Sequence, residues 1–279
     1  MGKITEQMTN IYVFVDDYLK AHPELAEWRS SNNREPDFSD AEVITIGLMQ
    51  SCLAVATLKK AYQHIEENYH SAFPRLCSYK QWIARLHKLS DIIGHMVEAA
   101  RLADGLNYSV YLLDSKPVAL CKTVRHGTVR LLREDGAYFA KSSKGWFFGF
   151  KLHTLFNIEG RILGAVLSPA NLHDREPALP LALHTDGGIA FGDQAFGGQQ
   201  TVDDLANEAD LLLITRKHAP QHYKALVATI RQRVETFLSH FYRLLIDFIA
   251  PRSWSGLWAA IKLKLLAYNL HNQSIVCLD

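Results

Sequence analysis

The sequence predicts an α/β protein in which a mixed sheet flanked by helices follows an all-helical N-terminal part. Three observations carry that expectation. Apolar residues recur at helical spacing through residues 1–106, short β-branched and apolar runs take over after Asn107, and helix-like and strand-like segments alternate from residue 176 onward. The 279 residues are 48% hydrophobic and 21% charged, an ordinary globular composition that excludes a disordered or collagen-like chain. Two domains are expected: 1–106, a helical unit suited to DNA binding or dimerisation, and 107–279, which carries the sheet.

In the first part, Ile11, Phe14, Val15 and Leu19 share one helical face. Ser39-Asp40-Ala41-Glu42 has the form of a capping box, because the Ser hydroxyl and the Glu carboxylate can satisfy free amides at a helix start; a helix over about 40–55 follows. Further helices are expected at 57–69, at 79–89 behind Ser78 as N-cap, and at 91–103, with Pro74 as a break and 30–36 as a loop. The pair 57–69 and 79–89 fits a helix-turn-helix presenting Lys80, Arg85 and Lys88 to DNA. A structural or dimerising bundle fits the pattern nearly as well, and the net charge of −3 over residues 1–113 is poor for phosphate binding unless the basic residues share one face.

In the second part, Val110-Tyr111-Leu112-Leu113 reads as a buried strand ending on Asp114. Residues 147–156 and 161–167 form a hairpin about Asn157-Ile158-Glu159-Gly160. A helix over 176–184, a strand Ile189-Ala190-Phe191-Gly192-Asp193, a helix near 199–208, a strand over 210–214 and a long helix over 221–245 complete the order. A meander followed by alternating helices and strands describes a mixed sheet of ribonuclease H-like type, with the first and fourth strands as neighbours. Trp254, Trp258, Lys262 and Lys264 mark a C-terminal amphipathic stretch, expected to pack back on this domain and to offer its lysines to DNA.

The formal charge of +1 hides a segregation: −3 over 1–113, +4 over 114–160, −6 over 161–210 and +6 over 211–279. That pattern fits a basic surface beside an acidic pocket, and equally a solvated surface whose charge fluctuates. Apolar runs such as Leu211-Leu212-Leu213-Ile214 stop far short of the roughly 20 residues of a membrane span. Lys3, Glu6, Asp16 and Asp17 interrupt any signal-like start, so the expected compartment is the cytoplasm. Cys52, Cys77, Cys121 and Cys277 show no C-x-x-C spacing and read as reduced packing residues.

The chemistry lies in the carboxylates. Asp114 and Asp193 end apolar strand patterns, and a carboxylate there projects from the sheet rim where α/β folds place their sites. Glu235 stands among Ile230, Val234, Phe237 and Leu238, the face expected to pack on the sheet, with Arg231 one turn earlier to pair with it or hold a phosphate. Each of the three alone also reads as a turn cap or a surface pair. Together, with no His or Cys at ligand spacing, three carboxylates select magnesium or manganese. Two such ions about 4 Å apart suit phosphodiester displacement. Lys116, Lys144 and Lys151 lie near Asp114 in sequence, beside Trp146, Phe147 and Phe148; such lysines neutralise phosphates, while strand alternation sends about half of the aromatics to the core. His153 and His173 read as hydrogen-bonded histidines outside the ligand set, with Asp174 as a helix cap.

These motifs resemble a family. Leu112-Leu113-Asp114-Ser115-Lys116-Pro117-Val118, the stretches 144–153 and 168–174, Gly192-Asp193-Gln194-Ala195-Phe196 and Arg231-Gln232-Arg233-Val234-Glu235 are similar to the DDE transposases of bacterial insertion sequences, closest to the group typified by insertion sequence 982. Residues 38–45 and 73–79 carry the likeness into the first part. The resemblance implies a ribonuclease H-like catalytic domain that cuts transposon ends and joins them to target DNA. Asp114, Asp193 and Glu235 become the catalytic and metal-holding triad for two magnesium ions, with manganese as a substitute, and Arg231 the basic residue before the glutamate. Only 42 positions separate Asp193 from Glu235, leaving no room for a large inserted domain, and Gln194-Ala195 departs from the basic residue and glycine of many members. The implied partners are double-stranded DNA and further copies of the chain, as a homodimer or higher homo-oligomer, nucleoid-associated when DNA is bound. The rival readings are a nuclease of the same fold that cuts without joining, and a copy that binds DNA without chemistry; a glycosidase, which needs only two carboxylates, is remote.

Overall fold

In the computed structural model, the described residues are 2–28, 36–103, 108–121, 129–142, 145–216, 219, 221, 224–244, 249 and 251–276; the expected loop at 30–36 lies outside them but for Pro36. They form two compact units, Met1–Ala100 with Trp254–Asp279, and Arg101–Ser253.

The first unit is helical: α1 (Gly2–Ala21), α2 (Asp40–Cys52), α3 (Leu58–Asn68), α4 (Tyr79–Lys88), α5 (Ser90–Leu102) and a C-terminal helix Trp254–Asn272. Helix α2 starts on the expected capping box, with the Ser39 hydroxyl accepting the Glu42 amide at 3.2 Å and the Glu42 carboxylate accepting the Ser39 amide at 2.6 Å. Helix α2 is buried nearly all round and forms the centre of the unit, as a helix apolar on every face must. Ile44, Ile46, Trp82, Leu86, Ile93, Leu263, Leu266 and Leu270 share its core. Arg85 differs from its expected DNA-facing role: its guanidinium donates to the Phe38 carbonyl and to Asp40, each at 2.6 Å, because the turn before α2 offers a carbonyl and a carboxylate within reach of α4.

The second correction is the domain boundary. The helix Trp254–Asn272, expected on the sheet domain, puts Leu263, Leu266, Ala267 and Leu270 into the helical core instead. Its lysines are not presented as expected: Lys262 pairs with Asp91 at 3.0 Å, and Lys264 is 1% exposed with its ammonium nitrogen 3.4 Å from the Ser51 hydroxyl. The helix is apolar on nearly every face, and the helical core is where such a helix loses most water.

The second unit holds β1 (Val110–Cys121), β2 (Tyr138–Ser142), β3 (Gly145–Asn157), β4 (Ile162–Pro169), a short α6 (Ala178–Ala182), β5 (Gly188–Gly192), α7 (Gln199–Ala209), β6 (Leu211–Thr215) and α8 (Lys224–Arg243); Trp254–Asn272 is then α9. The sheet is mixed, in the order β2-β3-β1-β5-β6 with β4 also on β3. Strand β1 runs antiparallel to β3 and parallel to β5, and β5 parallel to β6. Tyr111, Leu113, Leu155, Ala190 and Leu213 pack on one face against Ala178, Leu181 and Leu205 of α6 and α7. Helix α8 packs on β1 and β5 from the other side, where Phe237 meets Phe156 at a ring distance of 6.3 Å.

The β3–β4 turn forms as expected. The Asn157 side-chain oxygen accepts the amides of Glu159 and Arg161 at 3.1 and 2.7 Å, and Gly160 takes φ +93°. Strand β2 is an element the sequence pattern did not announce, and α6 is shorter than the 176–184 expected. Among the described residues no helix is long and apolar enough to cross a membrane.

Candidate active site

Asp114 does not end its strand. Strand β1 continues to Cys121 because β3 pairs with it along that whole length, from Tyr111 opposite Asn157 to Cys121 opposite Phe148. On its other side, β1 loses its parallel neighbour where β5 stops at Gly192. Asp114 therefore stands at the rim of the parallel part of the sheet while remaining inside an antiparallel ribbon. Pro117 follows where β1 has become edge-like, the setting in which a strand tolerates a missing amide.

The parallel register brings the two aspartates together. Val110, Tyr111 and Leu112 pair with Ile189, Ala190 and Phe191, and the same offset, continued, sets Asp114 level with Asp193 on strands about 4.8 Å apart. Side chains alternate along a strand, so Asp114 shares the face of Leu112 and Phe191, opposite the face that Tyr111, Leu113 and Ala190 send under α6 and α7, while Asp193 follows the end of β5 and caps the short turn Gln194–Phe196. Helix α8 covers that shared face. The two carboxylates are also held alike: Asp114 Oδ1 accepts the Ser115 amide at 2.7 Å, and Asp193 Oδ1 accepts the Gln194 amide at 2.6 Å. Each is half-buried.

Glu235 departs from its expected position. It lies on α8, but it is exposed, while Val227, Leu238 and Phe241 form the buried stripe of that helix. At 100° per residue Glu235 falls on the flank of the stripe that Val227, Leu238 and Phe241 define. Among the described residues no group of three or more His, Cys, Asp and Glu is close enough to hold a metal ion, so the three carboxylates are not gathered into one cluster in this conformation. The donor chemistry nevertheless suits a hard divalent cation: one carboxylate on β1, one just past the end of its parallel neighbour β5, and a third on the helix that packs against both strands.

The basic residues separate. Lys116 is half-buried on β1, two residues beyond Asp114 and on the same face. Lys151 is engaged inside the domain, donating to Asp174 at 2.7 Å and to the Leu172 carbonyl at 2.8 Å, so Asp174 anchors the loop after β4 rather than capping a helix. Lys144 lies outside the described residues, as does the side chain of Arg231.

Of two residues beside the aspartates, Thr154 escaped the sequence reading and His153 did not. Thr154, opposite Asp114 on β3 and buried, donates to the Asp114 carbonyl at 3.4 Å. His153, on the other face, is fully buried against Phe196 and sits 2.8 Å from the Ser168 hydroxyl; burial pushes its pKa down to about 4, so it is a neutral packing group. Only the strand pairing signals Thr154, since nothing in Leu152-His153-Thr154 marks its cross-strand partner.

Residues 104–247, just over half of the chain, match the transposase DDE domain. No curated protein and no solved structure matches. The matched span contains Asp114, Asp193 and helix α8, and the chain belongs to the transposase DDE domain family.

Proposed function

We propose that the protein is a metal-dependent DNA transposase that cleaves the ends of its element and transfers the freed strand to target DNA, with a ribonuclease H-like domain of the insertion sequence 982 type. The observation that carries this reading is the match to the transposase DDE domain over residues 104–247, supported by a β1–β5 register that, continued beyond Leu112 and Phe191, sets Asp114 level with Asp193. Asp114 and Asp193 would hold two divalent cations, magnesium or manganese, with Glu235 completing the set from α8. Such ions, when bound, activate a water or a 3′-hydroxyl and stabilise the departing oxygen of a phosphodiester.

The chain's own residues supply position. The backbone bonds at Ser115 and Gln194 fix one oxygen of each aspartate, which limits the reorganisation needed at the moment of reaction. Lys116 stands where it can pair with a phosphate beside the scissile one. In the first step a water oxygen attacks phosphorus and the 3′-oxygen leaves with a proton; in the second that 3′-hydroxyl attacks target phosphorus and displaces the target 3′-oxygen. Glu235, exposed in the structure, closes toward the aspartates when DNA and cations are present.

The test is a cleavage and strand-transfer assay on DNA carrying the element's own ends, with magnesium and then manganese. Asp114→Asn and Asp193→Asn are each expected to lower the rate at least about 10³-fold while leaving DNA binding near wild type. Cut ends without joined product would make the protein a nuclease, and wild-type rates in both variants would remove the two aspartates from the chemistry.

A further inference from the structure

Past the point where β5 ends, β1, β2 and β3 continue as an antiparallel ribbon. At its far end Trp146 and Phe139 stack face to face, with ring centres 5.0 Å apart and planes within 5°. Phe139 supports the indole from one side, yet Trp146 remains 52% exposed. Lys141 is its direct cross-strand partner, with the ammonium 6.0 Å from the indole centre, and the Arg133 guanidinium lies 5.6 Å over the next aromatic on that face, Phe148.

The position of this stack relates it to the aspartates. Trp146, Phe148 and Thr154 alternate onto one face of β3, and Thr154 is opposite Asp114. The indole thus shares the face of the candidate active site. Eight residues of strand separate Trp146 from Thr154, a span of about 26 Å at about 3.3 Å per residue. Lys116 stands between the two on β1. The surface therefore runs from two carboxylates through a lysine to an aromatic plate edged by two cations.

We propose that Trp146, backed by Phe139 and bordered by Lys141, is a stacking platform for an unpaired base of a DNA strand whose phosphates run back along the ribbon toward Asp114; this rests on the proposed function of the same domain. Every base offers a π-face, so such a plate binds single-stranded DNA with little sequence preference, and the adjacent cations neutralise its phosphates. A duplex interior offers no free face, because its bases already stack on one another. The occupant is therefore a single-stranded segment such as strand separation or end cleavage exposes.

The experiment is fluorescence anisotropy on the full chain, without divalent cation, using three labelled probes: a blunt duplex, the same duplex with a thymidine overhang, and that duplex with an abasic overhang. The wild type is expected to bind the thymidine overhang about tenfold more tightly than the blunt duplex, with the abasic overhang close to blunt. Trp146→Ala should erase that preference and leave blunt-duplex affinity unchanged, while Trp146→Phe keeps most of it; circular dichroism checks that both variants fold. An unchanged preference in Trp146→Ala, or equal affinity of the wild type for all three probes, overturns the platform and leaves the transposase reading standing. Failure of the wild type to bind any probe overturns both.

Discussion

Asp114 and Asp193 each turn one carboxylate oxygen onto the amide of the following residue, and that shared geometry restrains two side chains that would otherwise sample several rotamers beside the sheet rim. Ordering carboxylates in advance raises the repulsion between them, so they gain most when a cation arrives. At Lys264 the balance runs the other way. Its amine is buried between α9 and α2 with the Ser51 hydroxyl and the Cys52 thiol as its polar neighbours, and burial pushes its pKa down to about 7. The unfolded chain therefore binds more protons than the folded one between pH 7 and 10.5, and stability falls as pH drops through that window. Lys264→Met should stabilise the protein by about 2 kcal/mol at pH 7, with the gain shrinking toward pH 10. Thermal melts of the two proteins across that range check it, and a gain that grows with pH would contradict it.

At the scale of elements, the capping box at Ser39 and the N-cap at Ser78 were legible because a cap is a local exchange of hydrogen bonds over three residues. The β3–β4 turn was legible for the same reason. Gly160 also carries a constraint from outside the turn: a Cβ there would lie 2.7 Å from the Phe237 ring of α8, and φ +93° disfavours any side chain. Gly160→Ala should cost about 2–3 kcal/mol, seen as a lower urea midpoint at unchanged slope. Strand β2 was not legible, because five residues with none buried and two exposed carry little hydrophobic period and gain their place by pairing with β3. Glu235 was read onto the sheet face because its sequence neighbours are apolar, but a helix advances 100° per residue and places it on the flank.

For the whole molecule, the chain passes from the helical unit into the sheet unit and returns with α9. Removing residues 254–279 should then destabilise the helical unit by exposing the core around α2, while the sheet unit keeps its near-ultraviolet signature. Loss of helical circular dichroism at a lower temperature than in the full chain checks this, and an unchanged melt would contradict it. The sequence by itself determined the order of most elements, the capped helix starts and the residue types able to hold a hard cation, since each depends on neighbours within a few positions. Tertiary structure alone decided that Asp114 and Asp193 stand level, that Lys151 and Arg85 are engaged internally, and that α9 belongs with the N-terminal helices. Those outcomes depend on strand register and on which apolar faces meet, and both are settled between residues far apart in the chain.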